Sequence, residues 1–107
     1  MEYNYFHGAI LIDRDYDLSK NFIIQEMIKK KYYYFHPNIF SLGESEYPYY
    51  YENILFSFGR TAKYFVDNEN ELKVFLNEFE DILNNLDFET AQIIVQASYA
   101  DYKLFLD

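Results

Sequence analysis

The chain has 107 residues, a formal net charge of -9, 50% hydrophobic and 22% aromatic residues, and no cysteine. That length suits one hydrophobic core and not two, and the hydrophobic half separates the chain from disordered sequences of similar charge. Without cysteine there are no disulfide staples, thiolate metal sites or cysteine nucleophiles, and the one basic cluster, Lys29-Lys30-Lys31, is too small for direct contact with nucleic-acid phosphates.

The elements follow in chain order. Tyr3 to Asp13 alternates Tyr3, Tyr5 and His7 against Asn4 and Phe6, then becomes aliphatic, and predicts a strand that is more buried along its length. From Leu18 the spacing turns helical, with Leu18, Phe22, Ile23 and Met27, joined by Ile24 and Ile28, on the inward face. Asp17 or Ser19 is the expected N-cap, and the three lysines suit the negative end of a helix over about 18–31. Tyr32 to Phe35 reads as a second strand that stops where His36-Pro37 restricts the backbone. Asn38 to Pro48 reads as a loop. Tyr49 to Phe58 returns to strand character, and Phe58-Gly59-Arg60 is expected to turn the chain into a partner strand at Thr61 to Val66.

The clearest element comes next. Leu72, Phe75, Leu76, Phe79, Ile82, Leu83 and Leu86 recur at offsets of three and four, which predicts an amphipathic helix. Asn68 is its expected N-cap, with Glu71 completing a capping box. After Asp87 a last helix from about Phe88 is expected, although Ala91, Ile93, Val95, Ala97 and Tyr99 also alternate as in a strand. The expected fold is a single α+β domain over residues 1–107. About four antiparallel strands carry two or three helices in the order β-α-β-β-β-α-α.

Catalytic motifs are hard to find. Asp13, Asp15 and Asp17 alternate as at the start of a calcium loop, but the sixth and twelfth positions are Leu18 and Ile24 where glycine and glutamate are needed. The two histidines, His7 and His36, lack metal-ligand spacing. Ser41-Leu42-Gly43 and Ser57-Phe58-Gly59-Arg60 form neither a nucleophile elbow nor a phosphate-cradling loop. A walled cleft for a catalytic carboxylate pair is a large demand on a chain of this size. The expectation is a protein that is not an enzyme and takes no cofactor or metal. Near the N-terminus the longest aliphatic run is Ala9 to Ile12, and no stretch approaches the ~20 apolar residues of a membrane span, so a cytoplasmic location away from membranes is expected.

Charge is divided unevenly. Residues 1–63 carry eight acids and seven bases, whereas residues 64–107 carry ten acids against Lys73 and Lys103. Thirteen tyrosines fall partly in runs, Tyr32 to Tyr34 and Tyr47 with Tyr49 to Tyr51, and consecutive strand residues cannot all face one interior. Exposed tyrosine beside carboxylate favours tight protein interfaces with a basic partner. Glu78, Glu80, Asp81, Asp87 and Glu89 are the expected anionic contacts, and Tyr47, Tyr49 and Tyr51 the expected anchors.

In size, acidity, lack of cysteine and lack of a catalytic motif, the chain resembles the immunity proteins encoded beside bacterial toxins of contact-dependent and polymorphic systems. The resemblance implies a monomer or weak homodimer that neutralises a basic toxin, such as a nuclease domain. Two other readings share the composition: a phage-type DNA mimic or anti-CRISPR inhibitor, and a self-associating adaptor subunit.

Overall fold

The computed structural model describes residues 4–13, 16–42, 54–62, 68–96 and 101–106. The fold is the expected α+β class, one antiparallel sheet with helices packed on it. The strands are β1 (Asn4–Ile12), β2 (Phe40–Leu42), β3 (Ile54–Ala62), β4 (Phe88–Gln96) and β5 (Asp101–Leu106). Their order in the sheet is β2-β3-β1-β4-β5, with every neighbouring pair antiparallel. The helical segments are α1 (Tyr16–Asn21), a π turn over Phe22–Glu26, α2 (Met27–Lys30), a short 3-10 turn over Pro37–Ile39 and α3 (Glu69–Asn84). No helix among the described residues is long and apolar enough to cross a membrane.

The core follows the period-two rule. Phe6, Ile10 and Ile12 of β1, Phe56 and Phe58 of β3, and Ala91, Ile93 and Val95 of β4 are buried on the same side, against Phe22, Ile23 and Met27 of the first helix and Phe75, Phe79, Ile82 and Leu83 of α3. Aromatic rings knit this layer together: Phe35 lies 5.2 Å from Phe75 and 5.9 Å from Phe79, both stacked, and Phe6 meets Phe75 edge-on at 5.0 Å. Gly8 sits in the same inward row, between Phe58 and Ile93. A Cβ there would stand 2.2 Å from the Gln92 carbonyl oxygen and 2.7 Å from the Phe58 ring, so only glycine lets that ring rest on the central strand.

Several expectations are corrected. Tyr32 to Phe35 is not a strand, because its backbone bonds to side chains of α3 and β3 and not to a sheet neighbour. Phe58-Gly59-Arg60 does not turn; Gly59 has no positive φ, and β3 runs straight through it, paired with His7. The last helix is instead strand β4, whose buried residues alternate with exposed Thr90, Gln92 and Gln96. Neither Asp17 nor Ser19 is a cap: both lie inside α1, Asp17 in its first turn and Ser19 buried, where its Oγ accepts from the Asp87 backbone N–H at 3.0 Å. Strand β2 also lies within the segment Asn38 to Pro48 expected as a loop, because Phe40–Leu42 pairs with Phe56–Phe58 of β3, and β5 adds a fifth strand, so the observed order is β-α-β-β-α-β-β.

The first helix also has a different inward face from the one its spacing predicts. Phe22, Ile23 and Met27 are buried, but Leu18, Ile24 and Ile28 are about half exposed. The π turn inserts an extra residue and rotates the segment after it, so one helical period does not fit the whole run. Asn68 caps α3 as expected, accepting the Glu71 N–H on its Oδ1 at 3.0 Å. The expected strand positions Tyr49 to Asn53 and 63–66 lie outside the described residues.

Candidate functional site

The chain leaves the lysine run through a strained residue. Lys31 is the C-cap of α2 and adopts the left-handed conformation, φ 54° and ψ 46°, a place that usually holds glycine. This turn sends Tyr32, Tyr33 and Tyr34 across the flank of α3, where they are held at several points. The Tyr32 hydroxyl donates to Asp81 Oδ2. The backbone N–H groups of Tyr33 and Tyr34 donate to the two oxygens of Glu78, at 3.1 and 2.9 Å. Arg60 Nη1 donates to the Tyr34 carbonyl at 3.1 Å.

Burial divides the three tyrosines sharply. Tyr34 is 4% exposed and meets Phe75 edge-on at 5.5 Å, Tyr32 is partly buried, and Tyr33 is 76% exposed with its ring edge-on to Tyr34 at 4.9 Å. A projecting ring on a segment fixed on both sides is a preorganised anchor, since little ordering entropy is left to lose when it binds. Burial, then the hydrogen bond to Asp81, then the charges of Asp81 and Glu78 push the Tyr32 hydroxyl well above the ordinary tyrosine range. It therefore remains a donor to Asp81 throughout neutral pH.

The expected anionic contacts separate into distinct environments. Glu78 and Asp81 are committed within the molecule: Glu78 caps the tyrosine backbone, and Asp81 receives Tyr32 and lies 3.7 Å from Lys30 Nζ. Glu80 is exposed on the other side of α3, with no partner among the described residues. Asp87 is partly buried at the α3–β4 junction, its carbonyl accepting the Asp13 N–H at 2.8 Å. Glu89 is exposed at the register shift between Leu11 and Ile12, where β4 carries one residue more than β1. Tyr47, Tyr49 and Tyr51 lie outside the described residues. Thus the structure brings Glu78 and Asp81 together but sets Glu80 apart from them.

Tyr33 and Lys31 were missed as functional candidates from sequence. Their run is visible, but a strand reading assigns alternate rings to alternate faces and conceals the single projecting ring. No local signal marks the left-handed turn at Lys31, because a lysine there breaks the usual glycine rule.

Nearby, a shallow groove of about 330 Å³ is lined by Leu18, Asn21, Phe22, Glu26, Lys30 and Asn85. Among the described residues no group of three or more His, Asp or Glu side chains is placed to hold a metal ion. Comparison with known proteins gives no match: no family model fits the chain, and no curated protein and no solved structure matches it.

Proposed function

We propose that this chain is a binding protein that neutralises a basic partner, in the manner of an immunity protein facing a toxin nuclease, and that Tyr33 is its anchor. The observation that carries this reading is the exposed Tyr33 ring on a segment clamped by Glu78, Asp81 and Arg60. Rigid, projecting tyrosines on a prepaid backbone supply much of the energy at tight interfaces. The net charge of -9 steers a cationic partner toward the molecule, with Glu80 and Glu89 as exposed carboxylates for rim contacts. Glu78 and Asp81 act as supports for the anchor and not as contacts. A DNA mimic is less favoured, because it requires carboxylates spaced and available in place of phosphates, whereas these two are engaged internally.

The test is to capture partners from an extract of the source cell, identify them by mass spectrometry, and titrate the purified chain into the captured protein's nuclease assay. The expected result is a basic protein whose cleavage activity is abolished at stoichiometric chain. Tyr33→Ala should weaken its binding by about 30-fold, the effect of a ~2 kcal/mol hot spot. A captured protein that is acidic, or that keeps full activity in the complex, or equal binding by Tyr33→Ala, overturns the reading.

A further inference from the structure

The helices cover one face of the sheet, and no described element lies over the other. Four rows cross its three central strands: Leu55-Leu11-Thr90, Ser57-Ala9-Gln92, Gly59-His7-Ile94 and Thr61-Tyr5-Gln96. None of these twelve residues is Asp, Glu, Lys or Arg, in a chain where such residues make up 25%. An ordinary protein surface would place about three or four there. The face is also shaped for close approach. Ala9, Ser57 and Gly59 form a low centre, and Leu11, Leu55, Ile94 and the stacked rings of Tyr5 and His7, 5.9 Å apart, rise around it.

From this we infer that two copies of the chain pair through these helix-free faces, sheet against sheet about a two-fold axis. A basic partner would find no carboxylate among these twelve residues, and where the rows continue onto β5 they add one acid and one base, Asp101 opposite Gln96 and Lys103 opposite Ile94. A second copy, which also carries -9, meets the same twelve uncharged residues there without bringing like charges together among them. Stacked sheets stand about 10 Å apart, a separation that small central residues and taller rim residues satisfy by interdigitation. The area is sufficient as well. All five strands, of nine, three, nine, nine and six residues, make about 600 Å² per copy in projection at ordinary strand spacing, near the lower bound for a stable specific interface, and the three central strands supply about 430 Å² of it. In this dimer both helix layers face outward and Tyr33 stays open, so the inference stands independently of the proposed anchor.

Sedimentation velocity on the full chain, over a concentration series reaching ~0.5 mM, tests it. The expected result is a concentration-dependent shift from 13.0 kDa toward twice that mass. Ser57→Glu and Gln92→Glu, at exposed positions on two different strands, should each weaken the dimer at least ~10-fold. Asn77→Glu, on the solvent side of α3, should leave it unchanged. Far-UV circular dichroism melts confirm that each variant is folded, and having two variants leaves the test intact if one strand tolerates charge poorly. A chain that stays monomeric to ~0.5 mM overturns the inference, as does a dimer indifferent to both face charges or one broken by Asn77→Glu.

Discussion

Glu78 and Glu80 are two residues apart on one helix and lie in different worlds. Glu78 faces the tyrosine segment and accepts two backbone N–H groups from it; Glu80 faces solvent and has no partner among the described residues. At ~100° per residue, two steps along α3 carry a side chain from a contact flank to the opposite surface. The lesson is that a count of carboxylates does not measure an anionic surface. Part of the acid in the last forty residues is structural, committed to holding residues 32–34 against α3.

The inward side of α3 sets the scale against which the two flanks are compared. Phe79 is fully buried against Phe35 and Phe58, and Phe79→Ala should lower unfolding free energy by about 3–5 kcal/mol, read from urea denaturation. Next comes the flank: Glu78→Ala leaves the Tyr33 and Tyr34 N–H groups without their carboxylate and should cost about 2 kcal/mol. Equal losses in Glu78→Ala and Glu80→Ala would erase the distinction between the two sides.

Tyr32→Phe removes the hydroxyl that donates to Asp81 and should cost about 1 kcal/mol at neutral pH. The Tyr32 pKa is raised on folding, so above the unfolded value of 10.0 the unfolded chain releases this proton first, and the stabilisation present below that pH is lost as pH rises. Wild type and Tyr32→Phe should therefore converge in melting temperature above pH 10, and a gap that persists there contradicts the part-buried hydrogen bond to Asp81. Lys31→Gly relieves the left-handed turn and should add about 0.5–1 kcal/mol, measured by thermal melts. The smallest effect is at the solvent side: Glu80→Ala should change stability by less than ~0.5 kcal/mol, while slowing association with a cationic partner at low salt.

Much of the scaffold was legible from residue pattern. Leu72 to Leu86 named α3 and Asn68 its cap, because a helix advertises itself through contacts three and four residues apart. The first strand was equally plain from its alternation. The misreadings have specific causes. Residues 88–96 alternate as a strand, yet Asp87 resembles a helix cap, and the choice depends on whether β1 offers an edge for β4 to join, which lies 76 to 91 residues away in sequence. Gly59 resembles a turn residue until His7 is found across from it. The proposed anchor was half visible: a tyrosine run beside lysines, without any indication that Tyr33 would be the one of the three to project.

By itself, the sequence determined the fold class, the single core, the amphipathic helix and the size of the negative charge, since each depends on composition or on spacing within a few residues. Tertiary structure alone decided the strand order, the rotation of the first helix, which of Glu78, Glu80 and Asp81 are engaged, and which tyrosine of the run 32–34 meets solvent. The physical reason is range. Periodicity is set by neighbours in the chain, whereas the pairing of Tyr32 with Asp81 or of Tyr34 with Glu78 joins residues 49 and 44 positions apart, and no local pattern encodes such a meeting.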